Sequence, residues 1–326
     1  TGLTSPGHVY SSPGSYFVQM TAYNDIQCTG YFSDTVTVYP LPQAAFVTTN
    51  LCSGSNAIFD GTASSVNGDS LVSWIWNFDG LGTSSDSIAT FTFAQSGTYN
   101  ISLIAGTIHG CSDTIINPVT ILQAPDFDFT FTEPCLGGTS VFTFISNITP
   151  APSATMLWDF GDGSLSSLQA PIHTYGSADT FEVNLQVTYA SNLCSSQLVK
   201  QLIIKPIPNV GFSVTNNCVN LPLNLIDTSS VESGSLTSWT WDLGTLGGSN
   251  LQNPVISTSV GGTYPVTLTV TSNEGCSATA TGTILVFSQP EATFLSDPIF
   301  GSPPLTVNFI NNTLGGINYE WSFGDG

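Results

Sequence analysis

The sequence predicts an all-β chain of tandem β-sandwich domains, and three observations carry that prediction. Short runs rich in Val, Ile, Thr and aromatic residues alternate apolar with polar positions, the pattern of strands with one buried face, and no stretch shows a helical period. A strand-and-turn motif, fullest at Trp158-Asp159-Phe160-Gly161-Asp162-Gly163, returns as Trp76-Asn77-Phe78-Asp79-Gly80, Trp241-Asp242-Leu243-Gly244 and Trp321-Ser322-Phe323-Gly324-Asp325-Gly326, with the Trp positions 82, 83 and 80 residues apart. A second landmark follows each of the first three: Gly97-Thr98-Tyr99, Asp179-Thr180-Phe181 and Gly262-Thr263-Tyr264 each open a run of period-2 alternation. Solenoid repeats run at about 20–50 residues, so a period this long describes separate domains, each able to bury its own core.

Within the motif, alternation places Trp158 and Phe160 on one face of a strand, and Gly161, Asp162 and Gly163 supply the positive-φ tolerance of a tight turn. Residues 1–40 hold three strand-like runs, His8-Val9-Tyr10, Gly14 to Met20 and Asp34 to Val38, and read as the back half of a domain. After the junction Tyr39-Pro40-Leu41-Pro42 comes a complete unit, 41–123, with strands expected at Ala44 to Thr48, Ala57 to Asp60, Ser73 to Phe78, Thr90 to Phe93, Tyr99 to Ala105 and Thr114 to Leu122. Proline-marked junctions at Gln123-Ala124-Pro125, Lys205-Pro206-Ile207-Pro208 and Ser288-Gln289-Pro290 bound further units at 124–206 and 207–288. Residues 289–326 read as the front half of one more. Six or seven short strands per unit is the pattern of a sandwich. Trp76, Trp158, Trp241 and Trp321 are expected in the cores, where four or five large side chains at about 1.5–3 kcal/mol each stabilise a small domain. The flanking Trp74 and Trp239 are assigned to the opposite face, where a ring can stack on a sugar.

Composition narrows the partners. The 326 residues include 2 Lys or Arg against 22 Asp or Glu, a net charge of −20. Such a chain repels phosphate backbones and anionic lipid, so no nucleic acid partner is expected. No apolar run approaches the roughly 18 residues of a membrane helix, so no membrane insertion is expected in this segment. Charged residues make up only 7%, yet with 41% hydrophobic residues the chain is not of disordered type.

The seven cysteines, Cys28 among them, form two interleaved series with steps of 82 or 83; Cys52, Cys135 and Cys218 lie before the second strand of their units, and Cys111, Cys194 and Cys276 in the turn before the last strand. That regularity reads as a disulfide framework in an oxidising compartment, because metal sites would cluster Cys or His at short spacing. In an immunoglobulin-like strand order the two places sit at opposite ends of a sandwich, roughly 20 Å apart, beyond the reach of a bridge. Bridges 52–194 and 135–276 between successive units are then one scheme. The rival scheme, 52–111, 135–194 and 218–276 within units, requires displaced strand ends, and the sequence leaves both open. Catalytic groupings are not found: His8, His109 and His173 are scattered and no nucleophile elbow appears. Asp159 and Asp162 have calcium-ligand chemistry, but their equivalents in other units are Asn77, Asp242, Ser322 and Asp325, and a carboxylate set that varies between units favours a turn role over a metal. No catalytic, cofactor or metal residue is assigned.

The Trp-Asp-Phe-Gly-Asp-Gly turn, the following His173-Thr174-Tyr175 and the strand from Gly262-Thr263-Tyr264-Pro265-Val266 resemble the polycystic kidney disease (PKD) domain, an immunoglobulin-like sandwich. The likeness runs the length of the chain and is most specific in 124–206; Phe78-Asp79-Gly80 and Leu243-Gly244-Thr245 depart from the full turn. The Cys series with Gly110-Cys111-Ser112-Asp113-Thr114 resembles PKD arrays of large Bacteroidetes surface proteins, exported by type IX secretion and linked to adhesion or gliding. Asp followed by Ser or Thr and an aliphatic residue, at Thr35, Ser70, Ser87 and Thr114, looks similar to O-glycosylation sites of that group. What the resemblance implies is a non-enzymatic, extracellular, rod-like array acting as a cell-surface fibre, adhesin stalk or spacer. Its expected partners are adjoining copies of the same repeat, with a surface polysaccharide or another cell-surface protein beside them. The alternative is the spacer or polysaccharide-binding region of a secreted hydrolase. Joined end to start, Phe323-Gly324-Asp325-Gly326-Thr1-Gly2-Leu3-Thr4-Ser5-Pro6-Gly7-His8-Val9-Tyr10 parallels Phe160 to Tyr175, so the chain is further read either as one four-domain super-repeat of a filament or as an arbitrary window on a non-identical array.

Overall fold

The computed structural model describes residues 4–149 and 151–325; the join through Gly326 and Thr1 to Leu3 therefore lies outside the described residues. Antiparallel strands account for almost all regular structure, and two single 3-10 turns, Gly61–Ala63 and Gly244–Leu246, are the helical exceptions among the described residues. No helix there is long and apolar enough to cross a membrane. The chain divides into two compact units, one of Thr1–Thr130, Thr143–Pro171 and Val183–Lys200, the other of Phe131–Phe142, Ile172–Glu182 and Gln201–Gly326.

The first strands, β1 (Gly14–Tyr23) and β2 (Thr29–Val38), form a two-stranded hairpin in which Gly14 faces Val38 and Tyr23 faces Thr29. The run His8-Val9-Tyr10 is not a strand, contrary to its reading from alternation, because no edge is present for its backbone to pair with. The next repeat holds β3 (Val47–Thr49), β4 (Asn56–Asp60), β5 (Leu71–Phe78), β6 (Thr83–Ser84), β7 (Ile88–Thr92), β8 (Gly97–Thr107) and β9 (Ser112–Ile121). These make two sheets, β3-β4-β7 and β6-β5-β8-β9. Their inner faces supply one core of Ala57, Phe59, Trp76, Phe78, Ala89, Phe93, Ile101, Leu103, Val119 and Ile121. Period-2 alternation produces it directly: along β8, Ile101, Leu103 and Ala105 are buried. Pro118 lies in β9, on the sheet edge, where its missing N–H costs no ladder bond.

The following repeat uses the same order, with β10 (Phe127–Phe131), β11 (Ser140–Ser146), β12 (Ala154–Asp159), β13 (Leu165–Ser166), β14 (Ile172–His173), β15 (Thr180–Tyr189) and β16 (Ser195–Ile203). Its sheets are β10-β11-β14 and β13-β12-β15-β16. The third has β17 (Phe212–Thr215), β18 (Leu223–Asp227), β19 (Leu236–Asp242), β20 (Gly248–Ser249), β21 (Val255–Ile256), β22 (Gly262–Ser272) and β23 (Ser277–Val286). They pair as β17-β18-β21 and β20-β19-β22-β23 around Leu223, Leu225, Trp241, Leu243, Val266, Leu268, Val270, Ile284 and Val286. In all three repeats the Trp strand pairs with the long hairpin strand in one register: Trp76 faces Leu103, Trp158 faces Leu185 and Trp241 faces Leu268. The last strands, β24 (Phe294–Asp297) and β25 (Asn308–Asn311), again form only a two-stranded sheet.

Candidate functional site

Among the described residues no catalytic constellation emerges from the geometry, and no group of three or more His, Cys, Asp or Glu could hold a metal ion. The chemically distinctive places are the junctions between repeats. Cys52 follows β3 and is bracketed by the end of its own repeat: Leu122 N–H donates to Leu51 O at 2.6 Å and Ser53 N–H to Leu122 O at 2.8 Å. The same parallel bridge holds Cys135 at Lys205 and Cys218 at Phe287, so each of these cysteines sits at the exit of its repeat. The second series sits on the hairpin loop. The residue that opens the loop donates its N–H to the cysteine carbonyl, from Thr107 to Cys111, Tyr189 to Cys194 and Ser272 to Cys276 at 2.8–2.9 Å, and from Asn24 to Cys28 at 3.2 Å.

The bridges that form are Cys52–Cys194 and Cys135–Cys276, with Cα atoms 5.8 and 5.7 Å apart. Each lies within one compact unit and joins a repeat to the next. The within-repeat pairing 52–111, 135–194 and 218–276 does not occur, because exit and hairpin loop belong to opposite ends of a sandwich. Cys28, Cys111 and Cys218 are free thiols in this structure. The reason is positional: an exit cysteine pairs with the hairpin cysteine of the following repeat.

Polar contacts reinforce the first junction. Ala124 N–H donates to Ser53 Oγ at 3.0 Å, Asn192 Nδ2 donates to Gln123 O at 2.9 Å, and Ser96 Oγ donates to Gln123 Oε1 at 2.8 Å. Before it, Tyr39 stacks on His109 at 3.7 Å between ring centroids, and His109 Nδ1 lies 3.0 Å from Asp69 Oδ1. Burial pushes the Asp69 carboxyl up, but the Ser70 N–H, His109 and Thr107 outweigh it and hold the group below the usual carboxylate range. Lys200, one of only two cations, donates to Phe129 O at 2.7 Å and meets Asp128 at 2.6 Å.

The turn motif is structural in its contacts. Asn77, Asp159 and Asp242 each use Oδ1 to accept a turn N–H, from Gly80, Gly161 and Gly244 respectively, at 2.7–3.0 Å. Asp162 Oδ1 accepts from Ser164 N–H, and Gly161 and Gly163 take the positive φ the turn demands. The departures at Phe78 and Leu243 keep the same closure: Phe78, Phe160 and Leu243 donate N–H to the carbonyl four residues on. Trp76, Trp158 and Trp241 are buried, and each indole N–H donates to the carbonyl ten residues on, at Asp86, Leu168 and Leu251. Trp321 differs from its reading as a core residue: it is 38% exposed, because the strands that cover its counterparts have no equivalent over it.

Trp74 and Trp239 also require correction. Residues two apart on a strand share a face, so both pack against the core beside Trp76 and Trp241 rather than opposite them. Trp74 Nε1 donates to Gly61 O at 3.0 Å and Trp239 Nε1 to Asp227 Oδ2 at 2.7 Å. Burial raises the Asp227 carboxyl, but hydrogen bonds from Ser229, Gln252 and Trp239 together take it below the usual range. Thr35, Ser70 and Thr114 are exposed and Ser87 is half-buried.

Against known proteins, the model of the PKD domain matches residues 37–121, 123–203 and 205–286. A microbial collagenase of Vibrio alginolyticus is 40% identical over 57 residues, 17% of this chain and 7% of the collagenase, so the chain spans a small part of that relative. Two solved structures are similar in single repeats. The PKD1 domain of Vibrio anguillarum Epp is 31% identical over 26% of this chain and 96% of its own, with a TM-score of 0.24. The PKD1 domain of the Vibrio cholerae metalloprotease PrtV is 23% identical over 26% and 98%, with a TM-score of 0.22.

Proposed function

The chain belongs to the PKD-domain family as a tandem array, and from that premise we propose that it is a non-enzymatic extracellular spacer, the stalk of a surface fibre or adhesin. The observation that carries this reading is the pair of bridges joining successive repeats. Small sandwiches on short linkers reorient freely unless something ties them, and a covalent tie suits a part whose task is to hold reach under load. Disulfides persist in oxidising surroundings, which supports an extracellular address, and the net charge of −20 favours solubility there. Export by type IX secretion, adhesion, and O-glycans on Thr35, Ser70, Ser87 and Thr114 belong to the same proposal. Adjoining repeats and a surface polysaccharide or cell-surface protein are its partners.

The two bridges close loops of 142 and 141 residues that overlap between Cys135 and Cys194. Pulling the oxidised chain therefore extends only a fraction of the residues between Cys52 and Cys276. In single-molecule extension, reduction should lengthen the fully stretched chain by roughly 600 Å, at about 3.6 Å per residue. Equal lengths before and after reduction would reject the load-bearing role. A second reading, the spacer of a secreted hydrolase, is favoured by the match to the Vibrio collagenase. The purified chain should turn over neither protein nor polysaccharide, and turnover abolished by one substitution would overturn the non-enzymatic reading common to both.

A further inference from the structure

The exit turn of the first complete repeat and the hairpin strands of the second flank a groove beside the Cys52–Cys194 bridge. Two clefts of about 340 and 370 Å³ share Ser53, Gly54, Ser196 and Gln197, so they form one continuous groove. Ser53 and Ser55 stand on one wall. Gln186 in β15, with Ser195, Ser196 and Gln197 in the neighbouring strand β16, forms the other. Gly54 turns the chain between the two serines at a φ of +74°, with open space where a Cβ would stand. All of these residues lie within the first compact unit.

The second junction has the same frame and a different lining. Its bridge, Cys135–Cys276, uses the equivalent positions, and Gly137 repeats the positive φ of Gly54. The exit cysteine is followed there by Leu136-Gly137-Gly138 in place of Ser53-Gly54-Ser55, and the hairpin cysteine by Ser277-Ala278-Thr279 in place of Ser195-Ser196-Gln197. The counterpart of Gln186, each being the residue after the leucine that faces the core Trp, is Thr269, whose Oγ1 lies 3.0 Å from Thr279 Oγ1. Neither the fold nor the staple therefore requires the polar set of the first junction. Ser53 Oγ accepts from Ala124 N–H and keeps its own proton to donate. The side chains of Ser55, Gln186, Ser195, Ser196 and Gln197 engage no other group among the described residues.

We propose that this groove binds a segment of a neutral polysaccharide across the junction of the two repeats. The proposal rests on the surface-stalk reading and adds the ligand class and the place of contact. Serine hydroxyls and glutamine amides both donate and accept, as every sugar hydroxyl does, so a row of them can pair with a ligand that is polar along its whole length. Phe127 and Leu198 close one end and offer apolar surface to the C–H faces of sugar rings. The groove contains no Lys or Arg, and a chain of net charge −20 repels sulfated or uronic-acid polymers. Its one charged residue is Asp126, whose Oδ1 already accepts from Asn147 Nδ2 at 2.8 Å. Each cleft falls within the roughly 300–1,000 Å³ of small-ligand sites. Because one wall comes from each repeat, the bridge fixes their separation, and the site is preorganised only in the oxidised chain.

The test titrates the oxidised chain, residues 1–326, with dextran, laminarin, mannan and a neutral galactan, with alginate as the anionic probe and gelatin as the peptide probe. Affinity electrophoresis and titration calorimetry read the binding. The expected result is saturable binding of at least one neutral polymer and none of alginate or gelatin. Gln186→Ala and Gln197→Ala, at exposed positions where truncation leaves the fold intact, should each weaken it roughly 3–10-fold, the loss of one or two hydrogen bonds. Thr279→Ala, at the equivalent place in the second junction, should leave it unchanged. Reduction, or Cys52→Ser together with Cys194→Ser, should weaken it about tenfold or more by freeing the two walls. No binding of any neutral polymer, equal binding of alginate or gelatin, or an affinity unmoved by both glutamine changes or by reduction would each overturn the proposal. A chain that binds none of the neutral polymers yet lengthens on reduction would overturn it while leaving the stalk reading intact.

Discussion

Hairpin β8–β9 and hairpin β1–β2 have the same register, the same glycine at the start and the same tyrosine two residues later, yet one lines a closed core and the other lies open. The difference teaches that strand pairing in this fold is a local property, set by alternation and the turn, whereas burial requires the opposite sheet. The closing residues repeat the lesson from the other side, with Trp321 in the ring cluster of a complete repeat but without its cover.

The comparison predicts its own largest effects. Trp76→Ala should destabilise its repeat by about 3–5 kcal/mol, the cost of emptying a fully buried aromatic site, while Trp321→Ala should cost the dilute chain far less; chemical denaturation with a fluorescence readout measures both. An equal cost would show that residues 289–325 form a closed core of their own. Leu103→Ala should cost about 2–5 kcal/mol and Met20→Ala almost nothing in dilute solution. A large effect at Met20 would break the distinction between closed and open hairpins.

Next in size is the staple. Replacing Cys52 and Cys194 together by Ser should cost about 2–4 kcal/mol by releasing a long loop in the unfolded state, and calorimetry should show the first two complete repeats unfolding in separate steps. A single unchanged transition would mean that the non-covalent junction suffices. The smallest effect concerns acid. A carboxylate whose folded pKa is depressed contributes stability that is fully present above its unfolded pKa and is lost as pH falls through the folded one. Asp227 is such a group, so the repeat that holds β17 to β23 should weaken on acidification below about pH 4. Asp227→Asn should flatten that dependence; an unchanged pH profile in the variant would remove Asp227 from the account. The half-domain has Asn311 at the paired position and should not share the effect.

Much of this protein was legible before any coordinates. The interval of about 82 residues, the alternation along each long strand and the glycine-rich turns specify tandem all-β sandwiches, because those signals depend on neighbours in sequence. The faces of Trp74 and Trp239 were equally available to a strict period-2 count, which places them beside Trp76 and Trp241. Which cysteines bond was not legible. The two series suit pairing within repeats or between them, and only the packing of one repeat's exit against the next repeat's hairpin loop brings the Cys52 and Cys194 Cα atoms to 5.8 Å. The exposure of Met20 and Trp321 was likewise decided in three dimensions: each has the sequence environment of a core residue, and burial is a property of the sheet across from it, which local sequence does not contain.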